Sequence, residues 1–295
     1  MRDHALQLAS RHGTPFYLYD LDLLRARARR AKRAVPASVL FAMKANPHPA
    51  VLRALRGELD GLDVASLGEL ELALRCGWSP AQLSFTGPAK TAAALERAAR
   101  LGVSITAESP RELEHLAGLD VRARVRVRVN LQLQLKAWRV SMSGVPSPFG
   151  IDEEALPAVL PLLRGLDFEG LHTNPGGQCT SVGGLLAAAT ALVACAERLG
   201  APVRSLNFGG GWGVVEGQEL DVEAAGRRLQ ALLAGRGLEA SVEPGRWLAA
   251  PAGLYVARVV SLKVSRGRRF VMLDGGLHHH LGATGHLGGA PLPIV

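Results

Sequence analysis

Lysine is scarce in this chain of 295 residues: it occurs only as Lys32, Lys44, Lys90, Lys136 and Lys263. Lys44 stands apart because it ends the apolar run Val39-Leu40-Phe41-Ala42-Met43. An ammonium at the end of a buried strand is unfavourable unless paired or used. A desolvated lysine has a depressed pKa and can form a Schiff base. The plain alternative is a lysine that snorkels from a strand end. A second stretch, Phe208-Gly209-Gly210-Gly211-Trp212-Gly213, lets backbone N–H groups approach a phosphate closely; alone, such a run is more often a turn. The third, Glu243-Pro244-Gly245-Arg246, offers a carboxylate and a guanidinium on neighbouring positions. Arginine matches phosphate through its planar fork, and a carboxylate can keep a pyridinium nitrogen protonated. The alternative here is an internal ion pair at a rim. Amine, phosphate loop, carboxylate and arginine together fit pyridoxal phosphate (PLP) better than any nucleotide.

These residues need elements to position them. Strand signals fall at 38–44, 61–66, 83–88, 103–108, 125–130, 168–174, 205–210 and 238–243. Between most of them lie segments with apolar residues at helical spacing: 68–76, 91–101, 153–163, 185–199 and 222–233. Eight strands separated by helices predict a (β/α)8 TIM barrel, which takes roughly 250 residues. A doubly wound sheet is the competitor, weakened because no GxGxxG follows the first strand. Barrel chemistry sits at the C-terminal ends of the strands. Those ends carry Lys44, Asp63 with Ser66, Thr86 with Gly87, Glu108, Arg128 with Asn130, His172 with Asn174, Gly209–Gly211, and Glu243 with Arg246. Outside the eight units, 14–20 reads as a strand. Residues 253–264 and 270–273 read as two strands joined by the turn Ser265-Arg266-Gly267-Arg268. Residues 282–295, rich in Gly and Pro, show no clear element. The expected division is an N-terminal strand segment (1–20), the barrel (21–248) and the start of a β-rich C-terminal domain (249–295).

Composition narrows the class. Hydrophobic residues at 48% and charged residues at 20% supply a large core, which excludes disorder. No apolar run reaches the roughly 18 residues needed to span a bilayer. Met1-Arg2-Asp3-His4 opens without the apolar region of a signal peptide. Cys76, Cys179 and Cys195 are too few for a disulfide scaffold. The expectation is a cytoplasmic protein with no membrane partner. The net charge of +8 raises nucleic acid, but the basic residues are mostly scattered arginines and aromatics are only 5%. The densest stretch, 25–33, reads as the solvated face of a helix that Asp20 caps. No nucleic-acid partner is expected.

The chain resembles the fold-type III, alanine-racemase-like PLP enzymes, and among them the ornithine/diaminopimelate/arginine decarboxylase group. The matching stretches are Phe41-Ala42-Met43-Lys44-Ala45-Asn46, Gly61-Leu62-Asp63-Val64-Ala65-Ser66 with Gly68-Glu69-Leu70, Phe85-Thr86-Gly87-Pro88-Ala89-Lys90, and Ala107-Glu108-Ser109 with Glu112-Leu113. They continue through Arg128-Val129-Asn130, Pro148-Phe149-Gly150-Ile151-Asp152, Gly170-Leu171-His172, Phe208–Gly211, Glu243–Arg246 and Asp274-Gly275-Gly276. The resemblance implies decarboxylation of an amino acid through a Lys44 Schiff base. It assigns the phosphate to Gly209, Gly210, Gly211 and Arg246, the ring nitrogen to Glu243, and the pocket walls to Asp63, Arg128, His172 and Asn174. It implies no metal. Leu277-His278-His279-His280-Leu281 resembles a subgroup of biosynthetic clusters that includes carrier-protein and exosortase-associated decarboxylases. The implied substrate is therefore a diaminopimelate- or ornithine-type amino acid, or an amino acid bound to a carrier, and the implied assembly is a homodimer.

Glu243 bears on the reaction type. A carboxylate at the ring nitrogen makes a strong electron sink, whereas alanine-type racemases place an arginine there, so decarboxylation is favoured over racemisation. Two departures from the family pattern stand out. His172-Thr173-Asn174-Pro175-Gly176-Gly177-Gln178 replaces the usual His-x-His-x-Gly-Ser-Gln. Asn174 thus stands where a histidine normally stacks on the ring. Gly177 lacks the usual hydroxyl, a loss of about 1–3 kcal/mol if the phosphate oxygen goes unpaired. The family's cysteine-acid motif and its C-terminal tyrosine find no match, so the chain is expected to be a fragment or a truncated form with impaired catalysis.

Overall fold

All eight strand signals form strands, and most are shorter than their apolar runs because the polar residue at the end turns out of the ladder; the signal at 125–130 instead forms the full strand Arg124–Asn130. The computed structural model describes residues 2–133, 138, 140–215 and 217–280; the predicted unstructured stretch 282–295 lies outside them. The strands are β1 (Ser38–Ala42), β2 (Gly61–Val64), β3 (Leu83–Phe85), β4 (Ser104–Ala107), β5 (Arg124–Asn130), β6 (Asp167–His172), β7 (Ser205–Asn207) and β8 (Glu239–Val242). Each pairs in parallel with the next, and β8 pairs with β1 through Ser241↔Ser38 and Val242↔Val39. The sheet closes on itself, so no edge remains unpaired. This is the (β/α)8 barrel, not the doubly wound sheet.

Local chemistry explains the helices around it. Asp20 Oδ1 accepts the N–H groups of Asp22 and Leu23 and starts the helix Leu21–Ala34. The helices after β2 and β4 begin alike. Ser66 and Ser109 accept from the N–H of Glu69 and Glu112, and those glutamates reach back to the N–H of Ala65 and Glu108. Two short helices, Pro49–Leu55 and Pro110–Ala117, were not anticipated; each starts with proline at its first position, where no N–H is needed. The helix expected over 153–163 is instead broken. It runs as 3-10 turns at Glu153–Ala155 and Leu160–Gly165 around one α-turn, Leu156–Val159. Pro157 and Pro161 remove the amides that a continuous helix would use.

The inside of the barrel is polar where branched aliphatic residues are the norm. A β-bulge places Glu169 between the pairs Val125↔Phe168 and Arg126↔Gly170. Glu169 is buried and takes Arg124 Nη2 at 2.6 Å, Arg126 Nη2 at 3.2 Å and the Ser104 hydroxyl. Arg126 reaches on to Ser205 Oγ across the barrel. Gly170 makes the bulge feasible: its φ is +150°, and a Cβ there would lie 1.9 Å from the Ser205 carbonyl oxygen. Gly170→Ala is therefore expected to destabilise the barrel by roughly 3 kcal/mol, from overpacking and left-handed strain. Thermal unfolding checks this, and an unchanged midpoint would count against the bulge geometry.

The chain divides into two compact units, Leu24–Ala250 and Met1–Leu23 with Pro251–Val295. In the second, Phe16–Tyr19 pairs antiparallel with Gly253–Val256. The strand expected over 253–264 is interrupted after Val256 and resumes as Val259–Ser265, which forms a hairpin with Arg268–Leu273. Arg266 and Gly267 both have positive φ, the two-residue turn that suits strand twist. Gly275 has its own reason here, since a Cβ would meet the Tyr255 hydroxyl at 1.7 Å. The His280 ring stacks on Tyr255 at 5.7 Å. A helix, Arg2–His12, precedes the first strand and was not anticipated.

Candidate active site

The strand ends gather the predicted residues at one mouth of the Leu24–Ala250 barrel. Lys44 lies in the single 3-10 turn Met43–Ala45 that follows β1. The expectation that it is desolvated is not met, for its side chain is exposed. The chain turns out of the barrel wall at Met43, so the amine leaves the apolar run instead of ending inside it. Among the described residues the fully buried lysine is Lys90, whose side chain is 0% exposed. Burial lowers its pKa, against the pull of Glu112 and Glu108. Its ammonium is taken by Glu112, Gly87 O and Thr106 O, which leaves no lone pair for attack.

Two carboxyl groups behave oppositely. Asp63 on β2 is buried, and both of its oxygens lack a hydrogen-bond partner among the described residues. Burial first, and then the negative Glu243, push its pKa well above the ordinary value against Lys44 and Arg128. Burial also works to raise the pKa of Glu243, just beyond β8. His172, Lys44 and Asn207 outweigh it and hold that carboxyl down at about 2. The contacts are specific. Asn207 Nδ2 donates to Glu243 Oε1 at 2.6 Å, and His172 Nε2 faces Oε2 at 3.3 Å. Burial pushes the His172 pKa down, against the pull of Glu243, whose carboxylate its Nε2 faces.

The glycine run is required by close approach. A Cβ on Gly209 would lie 2.3 Å from Thr173 O, on Gly210 2.3 Å from Glu243 O, and on Gly211 2.3 Å from Gly176 O. Asn207 Oδ1 accepts the Gly209 N–H, and Gly209 O accepts the Glu243 N–H. One asparagine thus ties the glycine loop to the carboxylate. Sequence reading missed Asn207; its signal was its position at the end of β7, directly before that loop.

Arg128 on β5 is buried against Glu108, with Nη1 3.0 Å and 3.1 Å from the two carboxylate oxygens, and it lies 4.6 Å over the Phe149 ring. Asn174 is half-buried with Oδ1 unpartnered among the described residues. Arg246 is exposed at the start of the short helix Arg246–Ala249. Its neighbour Trp247 is buried, held by Arg27 across its ring at 3.9 Å and edge-on to Trp212 at 5.7 Å. Gly245 brings this loop onto the Lys44 turn, with Ala45 Cβ only 3.0 Å from where its own Cβ would stand.

This arrangement fits PLP. The glycine loop is packed against the Thr173, Glu243 and Gly176 carbonyls, which only residues without a Cβ allow. The buried polar atoms left without a partner include both oxygens of Asp63, His172 Nδ1 and Arg128 Nη2, the groups that a polar, charged aromatic ring would satisfy. A closed (β/α)8 barrel with these groups at its strand ends defines a PLP enzyme. The family model described as "Pyridoxal-dependent decarboxylase, pyridoxal binding domain" matches residues 21–250, and the chain belongs to that family. It is 34% identical to L-glutamyl-[BtrI acyl-carrier protein] decarboxylase of Niallia circulans, over 94% of this chain and 70% of that relative. It is 37% identical to diaminopimelate decarboxylase of Deinococcus radiodurans, over 94% and 72%. Among solved structures, diaminopimelate decarboxylase of Helicobacter pylori complexed with L-lysine superposes with a TM-score of 0.86 at 27% identity, over 94% of this chain and 74% of that one. A mutant SrLDC in complex with PLP superposes with a TM-score of 0.86 at 26% identity, over 100% and 79%. The chain is a PLP-dependent carboxy-lyase. No helix among the described residues is long and apolar enough to cross a membrane.

Proposed function

We propose that this chain decarboxylates an amino acid with Lys44 Nζ as the covalent attachment point of PLP. Gly209, Gly210, Gly211 and Arg246 would hold the phosphate, and Glu243 the ring nitrogen. Asp63, Arg128, His172 and Asn174 would line the ring. When bound, PLP supplies an electron sink for the bonding pair left as CO2 departs. The chain's own task is to keep that sink charged. Glu243, ionised across the neutral range, would hold a proton on the ring nitrogen, and His172 and Asn207 fix its two oxygens. The exposed Lys44 amine is free to exchange with a substrate amine. The observation that carries the reading is this clamped, buried Glu243, because an arginine there would weaken the sink and favour racemisation.

The relatives' names support two substrate classes, a free diamino acid and an amino acid on a carrier protein. We propose a homodimer in the cytoplasm as the working form. Residues 21–248 would be the cofactor-binding barrel, with 1–20 and 249–295 as parts of a β-rich domain. The test is chemical. Protein mixed with PLP and reduced with borohydride is expected to carry the pyridoxyl mass on the peptide containing Lys44. Labelled diaminopimelate, ornithine, lysine or carrier-bound glutamate is then assayed for CO2. Racemisation without CO2 would overturn the proposal, and size-exclusion chromatography tests the dimer.

A further inference from the structure

Behind Arg128 lies a second buried charge, Glu108, to which the proposed reaction gives no role. It follows β4 directly, is 4% exposed, and is saturated by donors from three segments. Its Oε1 accepts the Gly87 N–H at 2.7 Å, its Oε2 accepts the Gly150 N–H at 3.2 Å, and both oxygens face Arg128 Nη1. Gly87 is also held by its carbonyl, which accepts from Lys90. Lys90 in turn pairs with Glu112 at 3.1 Å, and Glu112 caps the Glu108 N–H. Gly87 and Gly150 belong to the segments that follow β3 and precede Ile151, so one carboxylate fixes two loops and one guanidinium.

The form of the Glu108–Arg128 contact is the informative part. Arginine–carboxylate pairs are frequently bidentate, with two parallel N–H···O bonds from two nitrogens. Here both carboxylate oxygens meet the same nitrogen, and Nη2, though buried, has no partner among the described residues. Phe149 flanks the guanidinium plane, so the group is held at one nitrogen and one face. Asp63 and His172, both buried at the strand ends, lie within its electrostatic reach. Leaving Nη2 bare in the folded protein is unfavourable unless something else accepts from it.

We infer that Glu108 is a positioning residue: it orients Arg128 so that Nη2 presents a donor to an anionic oxygen of the bound cofactor or substrate, and it locks the 87 and 150 loops to that same geometry. This rests on the proposed PLP reading, which is checked first by the borohydride label on Lys44; without that label the reading itself fails and the variants below are not needed.

The test is a double-mutant cycle read as PLP affinity, from the visible absorption band, and not as activity. Glu108→Gln is expected to weaken PLP binding about tenfold, equivalent to about 1.4 kcal/mol. Arg128→Lys keeps a charge for Glu108 but has no second nitrogen, and is expected to lose a similar factor. In the double variant the losses should not multiply, because Glu108 acts through Arg128. Glu112→Gln is the structural control: it belongs to the same network without touching Arg128, and should lower Tm while leaving PLP affinity within about twofold. Multiplying losses, or a Glu112→Gln loss as large as that of Glu108→Gln, would overturn the inference. Should Glu108→Gln not fold, Arg128→Lys decides alone, and full PLP affinity together with an unchanged KM there would also overturn it. Varying substrate concentration on the loaded enzyme separates the two acceptors. A cofactor oxygen predicts the loss in PLP affinity, and a substrate oxygen a rise in KM at constant kcat.

Discussion

Lys44→Ala is expected to remove the covalent PLP label and to lower CO2 release on the order of 10⁴-fold or more, the scale seen when an active-site nucleophile is removed. Folding should be nearly unaffected. Lys44 is exposed on a one-turn 3-10 helix, and surface substitutions stay within about 0.5 kcal/mol. Tm is therefore expected to move by no more than about 2 °C. The separation matters because the chain holds a competing lysine in the same barrel. Lys90 has a pKa lowered by burial, but its ammonium is spoken for by three acceptors. Peptide mapping after borohydride reduction distinguishes the two. Label on the Lys90 peptide in wild type, or label that survives in Lys44→Ala, would sink the assignment.

That contrast marks how far the sequence could be read. The eight strands were legible because each is a short apolar run bounded by a polar end, and the barrel followed from their number and alternation with helices. Lys44 was singled out by its place after such a run, yet the physical reason then attached to it, desolvation, belongs to Lys90. Only the backbone's exit from the wall after Ala42 decides which lysine is buried, and that depends on how the Lys44 turn packs against Gly245. The broken segment over 153–163 was readable in principle, since Pro157 and Pro161 stand in plain view against the apolar spacing.

Other features were out of reach because their partners come from distant parts of the chain. Glu169 joins arginines of β5 with a serine of β4 and contributes to a polar barrel interior that no periodicity announces. Asn207 and His172 become a clamp only when β6, β7 and β8 lie side by side. Glu108 looked like one more polar strand end; its role as a junction needs Gly87, Arg128 and Gly150 at once. The glycine run was legible as a phosphate loop. The close approach of Thr173, Glu243 and Gly176 carbonyls supplies a second, independent reason for the same three residues.

Glu243→Gln is expected to leave the Lys44 label intact while lowering CO2 release about 10²–10³-fold, or roughly 3–4 kcal/mol, the scale of removing one preorganised electrostatic contact. The amide keeps the shape but not the charge that holds a proton on the ring nitrogen. His172 and Asn207 would then share a neutral acceptor, so a stability loss of about 1–3 kcal/mol should accompany the change. The pH dependence carries the sign. Glu243 has a folded pKa near 2, below its ordinary value. Its contribution to stability is therefore fully present above the ordinary carboxylate pKa and is lost as pH falls toward about 2. Wild type should thus lose stability in acid more steeply than Glu243→Gln, and the two unfolding curves should converge as pH drops. Activity of wild type should show no acid limb from Glu243 in the neutral range, because that group stays ionised throughout it. A Glu243→Gln variant that keeps CO2 release within tenfold of wild type, with the label on Lys44, would mean that the ring nitrogen's proton is held elsewhere. Asp63 would be the next residue to test, since it is a second buried carboxyl within the electrostatic reach of Glu243.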